Sequence, residues 1–150
     1  MTFAGELTED PDVGLRIEPA VDEATLAAHV RIVTEGFDWT PDTLGRIFTP
    51  ALLDRPAWSA WVGYIDGVAV ATAQLVVHAN VAGLYYVATV KEARRRRYGE
   101  AITRHAVREG QARGCDLICL QASPAGRPVY ERLGFEAIGE YVTYVPSEDA

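Results

Sequence analysis

The chain has 150 residues, 14 Lys and Arg against 21 Asp and Glu, a formal net charge of −7 and 49% apolar residues. An apolar fraction of that size supports one core without disulfides or metal, and the acidic balance argues against nucleic acid as the main partner. No apolar run approaches the roughly 18–20 residues of a membrane span, and Met1–Gly14 has acids and no basic residue, unlike a signal peptide. The expected location is therefore the cytoplasm, with no membrane partner.

Residues 1–12 are acidic, with Pro11 near their end, and read as a loose tail. Leu15–Pro19 alternates as a short strand would. Val21–Gly36 opens on Asp22 as N-cap, with Leu26, Val30 and Val33 at helical spacing and Gly36 as a stop. Phe37–Pro50 is mixed, with Asp38, Trp39 and Pro41, and Leu44, Ile47 and Phe48 suggest a short helix. Ala57–Ile65, Val68–His78 and Val81–Val90 read as an antiparallel meander. Its turns are Asp66-Gly67, a strong hairpin signal, and Ala79-Asn80.

The period then changes. Tyr98, Ala101, Ile102, His105, Ala106 and Glu109 share one helical face, and Gly114 ends that helix. Cys115–Gln121 is a continuous apolar run, as in a strand covered on both faces. Ser123–Leu133 reads as a short helix with Ser123 as N-cap and Pro124 in the first turn. Phe135–Val145 supplies one or two final strands. Cys115 and Cys119 lie on one face of their strand about 13 Å apart, too far to pair, and no His accompanies them, so no metal site is expected.

Five of the 14 basic residues fall within Lys91–Arg97, where a strand ends, a basic turn follows and a helix begins. Helix N-termini expose backbone N–H groups and a partial positive charge, a ready anion site. Four arginines are the wrong sign for that macrodipole, so a bound phosphate or pyrophosphate would offset them. A solvated basic face is the alternative reading of the run.

The segment Arg94-Arg-Arg-Arg97-Tyr98-Gly99 resembles the cofactor motif of GNAT acyltransferases: Arg or Gln, two variable residues, Gly, one variable residue, then Gly or Ala. The strand end Ala88-Thr89-Val90 fits the same pattern. Ser123 through Tyr130-Glu-Arg-Leu-Gly134-Phe135 is similar to the family's second cofactor motif. Together they span 48 residues, Ala88 to Phe135, and the element order suits the whole chain. The resemblance implies an α/β (α+β) GNAT fold over residues 1–150 as a single domain, with a central mixed, mostly antiparallel sheet of six to seven strands flanked by about four helices.

It further implies an enzyme that moves an acetyl group from acetyl-CoA, its cosubstrate, to a primary amine of a small molecule or peptide. The transfer is direct, within a ternary complex. The backbone N–H groups of Arg95, Arg96, Arg97, Tyr98, Gly99 and Glu100 would hold the pyrophosphate, and Ala88, Thr89 and Val90 would pair with the pantetheine arm. Ser123 stands where many relatives carry a cofactor-contacting Asn. Tyr130 sits where the family places its general acid, and a backbone N–H near Val90 is the expected oxyanion donor. One departure is Arg97 where the family has Gly; its side chain is expected to face outward. The base is less legible: Glu35 is the first candidate, His78 the second, and a water chain the third. His29 reads as a helix-surface residue and His105 as an inward one. Phe37 and Trp39 fall in the loop that caps the acceptor, while Trp58 and Trp61 suit a core. Arg97 and the unplaced base also leave open a non-catalytic acyl-CoA-binding or sensing domain, and a subunit that works only in an oligomer such as a homodimer.

Overall fold

In the structure, a computed structural model describing residues 1–40, 44–142 and 144, Asp22 opens the first helix as its sequence predicts. Its carboxylate accepts from the Thr25 N–H at 2.8 Å, and the Thr25 hydroxyl accepts from the Asp22 N–H at 3.2 Å, a reciprocal cap. Helix α1 runs over Glu23–Gly36. The strands preceding it are β1 (Thr2–Phe3) and β2 (Arg16–Pro19). The meander follows as β3 (Trp58–Ile65), β4 (Val68–His78) and β5 (Val81–Thr89). Asp66 and Gly67, both at positive φ (49° and 79°), give the turn a twist that matches the strands they join. Helix α2 spans Tyr98–Ala112, β6 spans Leu117–Leu120, and α3 spans Arg127–Arg132.

The six strands form one mixed sheet in the order β1-β6-β5-β4-β3-β2. Only β5 and β6 pair in parallel. Helix α1 covers one face and α2 the other. On the α2 side Ala71, Ala73, Leu75, Ile102, Ala106 and Val107 make the main core, with Trp61 also buried. Trp58 joins a second cluster with Leu26, Val33, Leu44 and Phe48.

Five expectations are corrected. Residues 1–12 are not loose: Thr2–Phe3 pair antiparallel with Cys119 and Ile118, and the segment behind them lies along α2. Arg104 donates to the Thr8 carbonyl (2.8 Å) and hydroxyl (3.0 Å), Gln111 to the Gly5 carbonyl (2.9 Å), and Arg108 pairs with Asp10. The sheet-facing residues of α2 include Ile102, Ala106 and Val107, and His105, expected inward, is only half-buried against Trp61.

The final strands are also absent among the described residues. Because β1 occupies the free edge of β6, Phe135 onward can only bridge outside it, at Thr2 and Glu136, and Ile138, Tyr141 and Val142 are exposed. Val145, the expected end of those strands, lies outside the described residues, as does Pro41. The last helix begins at Arg127, four residues beyond Ser123, whose hydroxyl instead accepts from the Gly126 N–H at 3.1 Å.

Finally, His29 is fully buried. Its Nδ1 lies 2.6 Å from the Thr72 hydroxyl, which itself donates to the Trp61 carbonyl at 2.7 Å. The imidazole therefore carries its proton on Nδ1. Burial pushes its pKa down to about 4, opposed by Gln74 beside it.

Candidate functional site

Pairing between β5 and β6 ends at Leu84 and Leu120, yet β5 continues to Thr89. The sheet splits there. A cavity of about 1030 Å³ occupies the split, between the free flank of β5, the 94–99 turn and the segment from Gln121 to Arg132. A bulge bends β5 at this point: the register with β4 shifts between Thr72 and Gln74, and Tyr86 sits at φ 50°. Gly36 lets the end of α1 approach, since a Cβ there would lie 2.7 Å from the Ala88 Cβ.

The turn after β5 carries a row of backbone amides. Arg95 and Arg97 are left-handed (φ 62° and 63°) and alternate with Arg94 and Arg96, an arrangement that turns successive N–H groups to one side. The first hydrogen bond of α2 runs from the Ala101 N–H to the Arg97 carbonyl at 3.0 Å. Among the described residues, the amides from Arg95 to Glu100 find no protein acceptor, and the positive end of the helix adds to them. Arg94 points elsewhere, donating to the Thr89 carbonyl and the Gly36 carbonyl at 3.2 Å each, and so ties α1 to β5.

Arg97 occupies the position where its left-handed backbone explains the family's Gly. Its side chain folds onto the helix and makes two bonds to Glu100, at 2.9 and 2.8 Å. Glu100 is itself buried and also meets Arg104 at 3.4 Å. The Arg97 hydrogen bond holds the Glu100 carboxyl below its ordinary range, against the effect of burial.

Of the expected residues, Ala88, Thr89, Arg95, Arg97, Tyr98, Gly99, Glu100, Ser123 and Tyr130 line this cavity. Val90 and Arg96 do not: Val90 is buried, and the Arg96 side chain is exposed away from it. The Val90 N–H donates to the Val70 carbonyl at 3.0 Å and is unavailable to an oxyanion. Alternation along the ladder turns the Thr89 N–H the other way, toward the cleft.

The Tyr130 ring meets Phe135 edge-on at 5.8 Å, and burial raises its phenol to about 12, so it is protonated at neutral pH. Glu35 lies elsewhere. Its carboxylate accepts from the Lys91 N–H at 3.4 Å, pairs with Arg31 at 3.5 Å, and faces a second cavity of about 690 Å³ beside α1. His78 pairs with Val81 at the opposite end of β5, some 26 Å from Thr89. The sequence reading passed over Tyr85 and Tyr86, which both line the main cavity.

An α/β sheet split beside a strand, with an anion-binding turn at its end, defines a protein that takes an extended ligand bearing a phosphate group. The comparisons narrow this class. The family model described as "Acetyltransferase (GNAT) family" matches residues 20–135, and the chain belongs to that family. It is an acyl-CoA-dependent acetyltransferase with acetyl-CoA as cosubstrate. Among curated protein sequences none matches the chain.

Similar solved structures include the aminoglycoside acetyltransferase AAC(6')-Iy with a CoA-acetylneamine bisubstrate analogue. It is 19% identical, with a TM-score of 0.74 over 89% of this chain and 98% of that one. A GCN5-related N-acetyltransferase from Ralstonia eutropha is 22% identical, with a TM-score of 0.70 over 88% and 99%. A Pyrococcus horikoshii protein of the acetyltransferase type gives a TM-score of 0.72 at 20% identity over 82% of this chain, which spans only 43% of its length.

Proposed function

We propose that this protein transfers the acetyl group of acetyl-CoA directly to a primary amine, in a ternary complex held in the split between β5 and β6. The observation that carries the reading is the row of unpaired amides from Arg95 to Glu100 at the foot of a cleft of about 1030 Å³ that also contains Tyr130. Those amides and the guanidinium of Arg95 would take the pyrophosphate. The unpaired flank of β5 at Ala88 and Thr89 would hold the pantetheine arm as an added strand, and Ser123 would close it from the other side. Val90 and Arg96 support the turn from outside the cleft.

Acetyl-CoA supplies an activated thioester carbonyl. The Thr89 N–H is placed to donate to the oxyanion formed there. Tyr130, protonated through the neutral range, would give its proton to the leaving thiolate. Glu100 is held by Arg97 and Arg104 and is not free to act as base. Glu35 faces the second cavity and is paired with Arg31, so the ammonium proton would leave to solvent water.

Tyr130→Phe tests the assignment, because the ring and its packing on Phe135 remain. In acetyl-CoA turnover with a panel of amines, kcat is expected to fall by roughly 10²–10⁴ with stability unchanged. An unchanged kcat would remove Tyr130 from the chemistry.

A further inference from the structure

The turn accounts for one end of the cavity, and the other end is aromatic. Phe37, Trp39, Tyr85 and Tyr86 all line it. The Phe37 and Trp39 rings lie 5.3 Å apart, and each stands edge-on to Tyr86, at 6.3 and 6.1 Å. In a regular strand Tyr85 and Tyr86 would point to opposite faces; the bulge brings both to the same cavity.

Phe37, Trp39 and Tyr85 are 40%, 42% and 45% exposed, whereas Trp58 and Trp61 are buried in the core. Tyr85 is also held in a particular pose. A Cβ on Gly83 would come within 2.5 Å of its Cε2 and 2.6 Å of its hydroxyl oxygen. The ring therefore lies along the strand over Gly83 rather than standing out from it, and presents a face to the cavity. Charge is informative too. Among the described residues the one carboxylate lining the cavity is Glu100, which Arg97 and Arg104 already engage. Among the described residues no free carboxylate lines it to hold a second ammonium group.

We infer that the acceptor is an arylalkyl monoamine, whose flat ring packs on Tyr85 and the Phe37–Trp39 pair while its single amine reaches toward Thr89. This rests on the acetyl-transfer reading of the same cavity. Polyamines and amino sugars with several ammonium groups find no second carboxylate among the described lining residues, and short aliphatic amines leave the rings uncovered.

Calorimetric binding to the CoA-loaded protein separates these classes, with phenethylamine, butylamine and spermidine as probes. Phenethylamine is expected to bind at least about tenfold more tightly than either, the scale of aromatic contact together with ring burial. Tyr85→Ala should erase that preference and leave the Kd for acetyl-CoA unchanged. Gly83→Ala, which displaces the ring without removing it, should weaken it. Equal affinities, or a preference that survives Tyr85→Ala, overturn the inference. Acetylation of butylamine at parity with phenethylamine would do the same and leave the transferase reading standing. Tight phenethylamine binding with no acetylation of any amine would keep the aryl site and sink the transferase reading.

Discussion

His29 makes the stability of this fold depend on pH in a direction and window that the structure specifies. The native imidazole is buried between α1 and β4 and titrates near 4, against an ordinary value of 6.5. Between those two values the unfolded chain holds more protons on this residue than the native one, so stability increases with pH. The contribution is complete above 6.5 and is lost as pH falls through the window to about 4. The interval corresponds to about 3 kcal/mol, a large share of the stability of a domain this size.

His29→Gln has nearly the same volume and does not titrate, and carboxylates common to both proteins cancel in the difference. Urea unfolding across this pH range should show the natural protein losing about 3 kcal/mol more than the variant on acidification. Parallel profiles would mean that His29 is solvated or charged in the native state, and would refute the argument from burial.

Two further substitutions probe the cofactor end. Arg97→Gly removes a left-handed non-glycine residue but also a partner of Glu100, which keeps Arg104; CoA affinity by calorimetry should stay within about tenfold. A larger gain would show that Arg97 obstructs the turn and would favour a non-catalytic acyl-CoA-binding role. Gly36→Ala places a Cβ 2.7 Å from the Ala88 Cβ and must push α1 off β5. Urea midpoints should report a loss of about 1–3 kcal/mol, and an unchanged midpoint would show that the two elements do not hold that spacing.

The residues legible in advance share one property: their structure is decided by neighbours a few positions away. Asp22 and Thr25 cap each other across three residues, and Asp66-Gly67 turns by its own dihedral preferences. The turn around Arg94–Gly99 and the helix after it follow from short-range backbone preferences. Local hydrogen bonds and steric limits on φ and ψ are written in short segments, so the sequence by itself determined the meander, the basic turn and the helix after it.

Tertiary structure decided what depends on partners far along the chain. His29 is buried because Thr72, 43 positions away, offers a hydroxyl beneath it. The acidic N-terminus is ordered because Arg104 and Arg108 meet it from 96 and 98 positions away. Thr2–Phe3 takes an edge of β6, and the strands expected after Phe135 do not form among the described residues. The Val90 amide is spent on Val70, Glu35 turns to Lys91, and Tyr85 lies flat because Gly83 leaves the space. Each of these outcomes is a competition for a strand edge, a buried acceptor or a volume. Period and composition do not record who wins it, because the competitors are brought together only when the sheet and its two covering helices assemble.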